Sequence, residues 1–174
     1  VVMGCGPIGV GIIQLAKNAG FRIIALDIDL KRLQFVEKIV NGIDTVLADD
    51  QAVDKIMKLT QGTLADAVFD ATGNKRAMER GHHFMKHGGK YILVGLYKDL
   101  LSFKHPEIHA KETSLLCSRN ATKEDFDWVI QTLKKDAFPV KHYITHQLHF
   151  ETLIESFESL YKNEDLLIKA MISL

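Results

Sequence analysis

The sequence is poor in the features that mark several classes of protein. It holds two cysteines, Cys5 and Cys117, in 174 residues. That is too few for a disulfide framework, and a reducing compartment, the cytoplasm, is the simplest reading. There is no surplus of either charge, because 22 basic residues balance 22 acidic ones. Without a basic stripe there is no footprint for nucleic acid or for an anionic membrane surface. No apolar run approaches the roughly 20 residues of a membrane span. Internal repeats, low-complexity stretches and a signal-peptide pattern are all missing. Position 1 is not Met, and Val1-Val2-Met3 stands directly before the first glycine. A buried strand usually runs about 5–6 residues, so the expectation is a fragment, or a domain cut from a longer chain.

What is present is an ordinary globular balance, 47% hydrophobic and 25% charged, in a chain long enough for one full core. Apolar runs alternate with segments of helical period, the signature of βαβ units. Strands are expected over 1–3, 22–26, 45–47, 67–69, 91–94 and 114–117. Helices are expected over 7–19, 30–40, 52–59 and 75–85. The first would turn Ile8, Ile12, Leu15 and Ala16 inward, and Gly88-Gly89 would stop the last. The strands are unbroken apolar runs, as in a sheet covered by helices on both faces. The fold class read from this is α/β: a Rossmann doubly wound parallel sheet. After Ser118 the pattern changes. An amphipathic helix over 121–133 carries Phe126, Val129, Ile130 and Leu133. A short Tyr143-Ile144 segment, a helix around 153–160 and a strand over 167–172 follow. Residues 1–118 therefore read as one nucleotide-binding domain. Residues 119–174 either complete it or belong to a neighbouring one.

Gly4-Cys5-Gly6-Pro7-Ile8-Gly9 is a G-x-G-x-x-G that follows a strand and opens a helix, the context that gives this motif meaning. Gly4 permits the tight turn, Gly6 lets a pyrophosphate approach the backbone, and Gly9 lets helix and strand pack closely. The exposed N–H groups and the helix dipole then favour an anion. Asp27 ends the second strand, 18 residues after Gly9, close to the about 20 expected of a ribose-binding acid. A carboxylate there repels a 2′-phosphate, so the cofactor read from the motif is NAD rather than NADP.

The segments VVMGCGPIGVGIIQLAKNAG, RIIALDID, DAVFDATG, GGKYILVGL, SRNATKEDFDWVI and YITHQLHFE, in this order, resemble the medium-chain dehydrogenases, above all the zinc-type alcohol and polyol (sorbitol-like) dehydrogenases. The resemblance runs from Val1 to Leu174 and implies roles by position. Gly4, Gly6, Pro7, Ile8 and Gly9 match the pyrophosphate loop, and Asp27 the ribose-binding acid. Arg32 matches a basic position near the adenosine, and Thr72 one that borders the adenine pocket. Val94, Gly95 and Leu96 match the segment whose backbone lines the nicotinamide. Arg119 matches an arginine that polyol dehydrogenases place near substrate, although a surface arginine at a helix start reads equally well. Lys169 matches a basic residue near the pyrophosphate.

The resemblance also implies that the catalytic zinc ligands and the proton relay lie in a domain preceding the glycine turn. No catalytic residue and no metal ligand is therefore expected in this chain, and zinc is expected only in that other domain. The implied function is hydride transfer between NAD and a secondary alcohol (polyol, sugar or sugar acid), with the chain alone inactive. The implied assembly is a homo-oligomer, dimer or tetramer, with edge strands near Lys98 to Phe103 available for pairing. Two other readings are a non-catalytic nucleotide-sensing module and a zinc-free reductase of the same superfamily.

The remaining nucleophiles and histidines read blandly. Cys5 is a small residue filling an x position of the turn, and Cys117 a buried strand residue. His83 and His87 have the i, i+4 spacing of a metal pair, but no carboxylate or thiolate stands nearby in sequence, and His87 reads as a helix-end residue. In an extended segment His142 and His146 would share a face and His149 would point away.

Overall fold

The structure is a computed structural model and describes residues 1–158, 160 and 166–174. Six parallel strands form the main sheet: β1 (Val2–Met3), β2 (Ile24–Asp27), β3 (Asp44–Leu47), β4 (Ala65–Asp70), β5 (Met85–Leu93) and β6 (Ser114–Cys117). Their order is β3-β2-β1-β4-β5-β6. Helices α1 (Pro7–Asn18), α2 (Leu30–Ile39), α3 (Ala52–Leu59), α4 (Lys75–Arg80) and α5 (His105–Ala110) make the connections between them. The expected doubly wound parallel sheet is thus present, and the order reverses direction between β1 and β4, which pair directly.

Side-chain alternation along the central strands divides the core between the two faces of the sheet. Met3, Ile24 and Leu26 join Ile56 and Tyr91 on one side. Val2 and Ala25 join Val10, Ile13 and Val36 on the other. These strands are apolar at successive positions because both faces are covered. The β6 edge departs from this. All four of its residues are exposed, so Cys117 is an exposed residue rather than a buried one. The sheet ends at β6, and residues 98–103 form no strand.

Local signals start and stop the helices. Pro7 opens α1, where a missing N–H costs nothing. Asp29 and Asn74 cap α2 and α4 by accepting from Lys31 N and Ala77 N. The inward face of α1 keeps Ile12 and Ala16 of the periodicity reading, which pack against the core, and departs from it at Ile8. Gly9, Val10 and Ile13 are buried, whereas Ile8 is 56% exposed. The phase is fixed by the close approach of Gly9 to the preceding turn, which outweighs the count of apolar residues.

The segment 75–94 departs most from expectation. Helix α4 stops at Arg80, and a 3-10 turn over Gly81–Phe84 leads straight into β5. A Cβ on Gly81 would lie 2.3 Å from Tyr91 Oη, and that hydroxyl donates to Met78 O at 2.6 Å. The buried tyrosine ring therefore draws the chain out of the helix. Gly88 (φ +67°) and Gly89 are not a helix stop. They form an irregularity inside β5, where the pairing moves from Ala65–Met85 to Ala67–Lys90. His87 accordingly lies on a strand, and the i, i+4 pair with His83 does not form.

Beyond Ser118, α6 (Lys123–Lys134) begins with a reciprocal Thr122–Asp125 capping box. Its expected apolar stripe is exposed, Phe126 by 62% and Ile130 by 44%. Helix α7 (Val140–Tyr143) holds His142, so His142 and His146 do not share an extended face. Strand β7 (His146–His149) is followed by a 3-10 turn (Phe150–Thr152) and by α8 (Leu153–Phe157). Strand β8 (Ala170–Ser173) pairs with β7 in a separate parallel sheet. Part of the helix expected over 153–160 falls on Ser159, outside the described residues. This C-terminal segment meets the main body at α1: Asn18 Nδ2 donates to Ala137 O at 2.5 Å, and Tyr143 Oη donates to Pro7 O at 3.0 Å.

Candidate functional site

The reversal of strand order opens a crevice of about 610 Å³ at the carboxyl ends of β1, β2 and β4. Gly4, Gly6, Pro7, Asp27, Arg32 and Thr72 line it. In open α/β sheets such a switch point is where ligands bind. A larger hollow of about 780 Å³ lies between α5 and the β6 edge, but it contains neither the glycine turn nor the acid.

Each glycine of the turn has its own constraint. Gly4 has φ +88°, and its amide donates to Leu26 O at 2.8 Å. A Cβ on Gly9 would fall 1.7 Å from Gly4 O, so any side chain there would force helix and turn apart. Gly6 is different. The nearest atom to a Cβ on it is Arg32 Nη1 at 3.7 Å, so this glycine keeps open space over the turn. Gly6 is also the N-cap of α1 and supplies no side-chain cap. The first-turn N–H groups, with the positive end of the helix dipole, are left for an anion at the crevice.

Asp27 is 6% exposed. Its Oδ2 accepts from Cys5 N at 2.6 Å and its Oδ1 from Asp29 N at 2.9 Å. The acid therefore ties the end of β2 to the glycine turn, a task that its spacing in the sequence did not reveal. Cys5 is fully buried, and burial, with the neighbouring Asp27 charge, pushes its thiol up to about 12. It is a packing residue, not a nucleophile. Thr72 sits against Gly4, with Cγ2 3.0 Å from the position of a Gly4 Cβ. Its amide and hydroxyl donate to Asp70. Burial raises the Asp70 carboxyl, and these hydrogen bonds partly oppose the rise.

Ile8 and Gly9 do not line the crevice, nor do Val94, Gly95, Leu96 or Arg119. Ile8 points outward and Gly9 lies beneath the turn. Val94 N and Gly95 N both donate to Asp70 O, at 2.9 and 2.8 Å. A Cβ on Gly95 would meet Gly73 N at 2.4 Å. The end of β5 is thereby held beside the DATG loop at the same edge of the sheet. Arg119 is exposed and follows Ser118, whose amide donates to Leu93 O at 2.9 Å. Lys169 is exposed, and its carbonyl accepts from Thr145 N at 2.9 Å, within the β7–β8 segment. It does not line the crevice.

The sequence reading missed several groups that line the crevice: Asp49 and Asp50 beyond β3, and Arg76 and Arg80 of α4. The i, i+4 spacing of the two arginines was the available signal. The crevice so assembled offers an uncapped helix N-terminus, three guanidinium groups and a buried carboxylate at one end. That combination suits a molecule with an anionic centre and vicinal hydroxyls. It does not suit zinc. No histidine or cysteine lines the crevice, and the oxygens of Asp27 are engaged by backbone amides, so the donor set of a zinc site is lacking.

The strand order, the glycine turn at its switch point and the acid closing β2 define a dinucleotide-binding domain of the Rossmann class. The family model described as zinc-binding dehydrogenase matches residues 7–135, and the chain belongs to that family. It is 37% identical over 176 residues to L-galactonate-5-dehydrogenase of Escherichia coli (strain K12), covering 99% of this chain and 51% of that protein. It is 29% identical over 170 residues to sorbitol dehydrogenase of Halalkalibacterium halodurans, covering 94% and 49%. Among solved structures, 2R,3R-butanediol dehydrogenase of Bacillus subtilis superposes with TM-score 0.85 at 24% identity, over 99% of this chain and 50% of that one. The structure of a short chain alcohol dehydrogenase from Escherichia coli CFT073, complexed with the cofactor NADH, superposes with TM-score 0.86 at 19% identity, over 99% and 51%. At these identities the two structures share the fold. The chain spans about half the length of the relatives it matches. No helix among the described residues is long and apolar enough to cross a membrane.

Proposed function

We propose that this chain is the NAD-binding part of a cytoplasmic zinc-type dehydrogenase that moves a hydride between NAD and a secondary alcohol of the polyol or sugar-acid class. The observation that carries the proposal is the juxtaposition of the uncapped, glycine-lined start of α1 with the buried Asp27 at one crevice. The diphosphate would take the helix N-terminus and Arg32. The adenosine ribose hydroxyls would donate to Asp27, and Thr72 would border the adenine. The end of β5 at Val94, Gly95 and Leu96 would carry the nicotinamide, and Arg119, past the end of β6, would face the substrate. The cofactor supplies the hydride chemistry, and this chain binds and orients it. The relatives named for galactonate and sorbitol support the substrate class. In this reading residues 1–118 are the cofactor domain, residues 119–174 complete it or belong to the neighbouring catalytic domain, and the enzyme is a homo-oligomer.

The test is fluorescence titration of the 174-residue chain with NADH and with NADPH. The proposal requires saturable NADH binding at least tenfold tighter than NADPH binding. Absence of NADH binding, or equal affinity for the two, overturns it.

A further inference from the structure

The 3-10 turn Gly81–Phe84 and helix α5 meet at three side chains that the cofactor crevice does not use. His82 Nε2 lies 3.1 Å from Glu107 Oε2, and His83 Nε2 lies 3.6 Å from the same oxygen. One ligand atom from each residue falls within 4.8 Å of the other two. The second carboxylate oxygen, Oε1, is engaged by Lys104 Nζ at 3.2 Å, which leaves Oε2 to the imidazoles.

The cluster is held from beneath. Lys111 Nζ donates to the carbonyl oxygens of His82, His83 and Met85, at 3.0, 3.3 and 2.6 Å. The turn that carries both histidines is thereby fixed. His82 is 2% exposed, its ring edge-on to Phe103 at a centroid distance of 6.1 Å. Its Nδ1 is buried and has no hydrogen-bond partner among the described residues.

We infer that His82, His83 and Glu107 form a binding site for a divalent transition cation of the zinc type, with water as the fourth ligand. The spacing supports this first. Ligands about 2.0–2.1 Å from a tetrahedral metal lie about 3.3 Å from each other, and the two histidine–glutamate distances bracket that value. The donor types support it next, since two imidazoles and one carboxylate oxygen suit zinc, cobalt or nickel and not the all-oxygen cations calcium and magnesium. The bound ion would clamp α5 to the 3-10 turn. The ammonium groups of Lys104 and Lys111 stand close by, and the Arg80 guanidinium also acts on His83. These charges oppose a dication, so the affinity is expected to be moderate rather than that of a fully anionic site. A plain histidine–carboxylate ion pair is the competing description, and it binds no metal.

The experiment is a titration of the 174-residue chain with zinc against a chromophoric chelator, repeated with cobalt to read the visible absorption of a four-coordinate ion. Wild type is expected to bind one equivalent. Glu107→Gln and His83→Gln should each weaken binding at least tenfold and abolish the cobalt band. Both positions are partly exposed, and thermal melting without metal shows whether each variant is folded. The double variant His105→Gln, His109→Gln serves as a control for the other histidines on α5 and should bind as wild type does. Failure of wild type to bind zinc overturns the site. So does undiminished binding by folded Glu107→Gln, or loss of binding confined to the control.

Discussion

The carboxylate of Asp27 accepts a hydrogen bond from the backbone amide of Cys5 at 2.6 Å, across 22 residues of sequence. One buried acid thus does two things. It closes the glycine turn from below, and it presents the remaining acceptor capacity of its oxygens to the crevice.

Substitution of Asp27 is therefore expected to affect both stability and binding. Asp27→Ala leaves the amides of Cys5 and Asp29 without their acceptor, a cost of about 1–3 kcal/mol. It should also weaken NADH at least tenfold and narrow the NADH–NADPH difference. Asp27→Asn keeps one acceptor and should fall between. Thermal melts and paired cofactor titrations check this, and unchanged affinity for both cofactors would remove Asp27 from the binding site.

The glycines of the turn are expected to separate by mechanism. Gly9→Ala drives a methyl group into Gly4 O, 1.7 Å away, and should destabilise the fold by about 1–3 kcal/mol through overpacking. Gly6→Ala meets nothing closer than Arg32 Nη1 at 3.7 Å. It should melt within a degree or two of wild type while losing cofactor affinity. Equal losses of stability in the two variants would contradict the assigned roles.

The two thiols should differ sharply. Cys5 is buried, with its thiol pushed up to about 12, whereas Cys117 is exposed on β6. An aromatic disulfide reagent at pH 8 should label one thiol per chain quickly, and the second only on the timescale of unfolding. Cys117→Ser should abolish the fast phase; a fast phase that survives in this variant would show that Cys5 is reachable.

Asp70 gives a pH dependence with a definite sign. Burial raises its folded-state carboxyl, so the folded chain holds this proton to higher pH than the unfolded chain does. Its contribution to stability therefore falls as pH rises from the unfolded carboxylate value, about 3.9, through the folded value, and stays low above that. Asp70→Asn removes the titration and keeps Oδ1 as an acceptor for Thr72 and Gly73. The melting difference, variant minus wild type, should be more favourable at pH 7 than at pH 4. A pH-independent difference would show that Asp70 titrates alike in both states.

The α/β class, the glycine turn, the acid at residue 27 and most element positions were legible in the sequence. Each rests on a short-range rule: a strand followed by glycines and a Pro-started helix, or an apolar run bounded by turns. The tertiary structure decided what depends on contacts distant in sequence. Tyr91 over Gly81 ended α4 five residues early and turned Gly88-Gly89 from a helix stop into an irregularity of β5. The close approach of Gly9 to Gly4 turned Gly9 inward on α1 and left Ile8 exposed. The position of β6 at the sheet edge exposed Cys117. Glu107 reached His82 and His83 from 25 and 24 residues away in sequence. A local pattern fixes which way the backbone runs. Only the packed sheet determines which side chains meet, because those meetings depend on the distances between elements and not on the spacing within them.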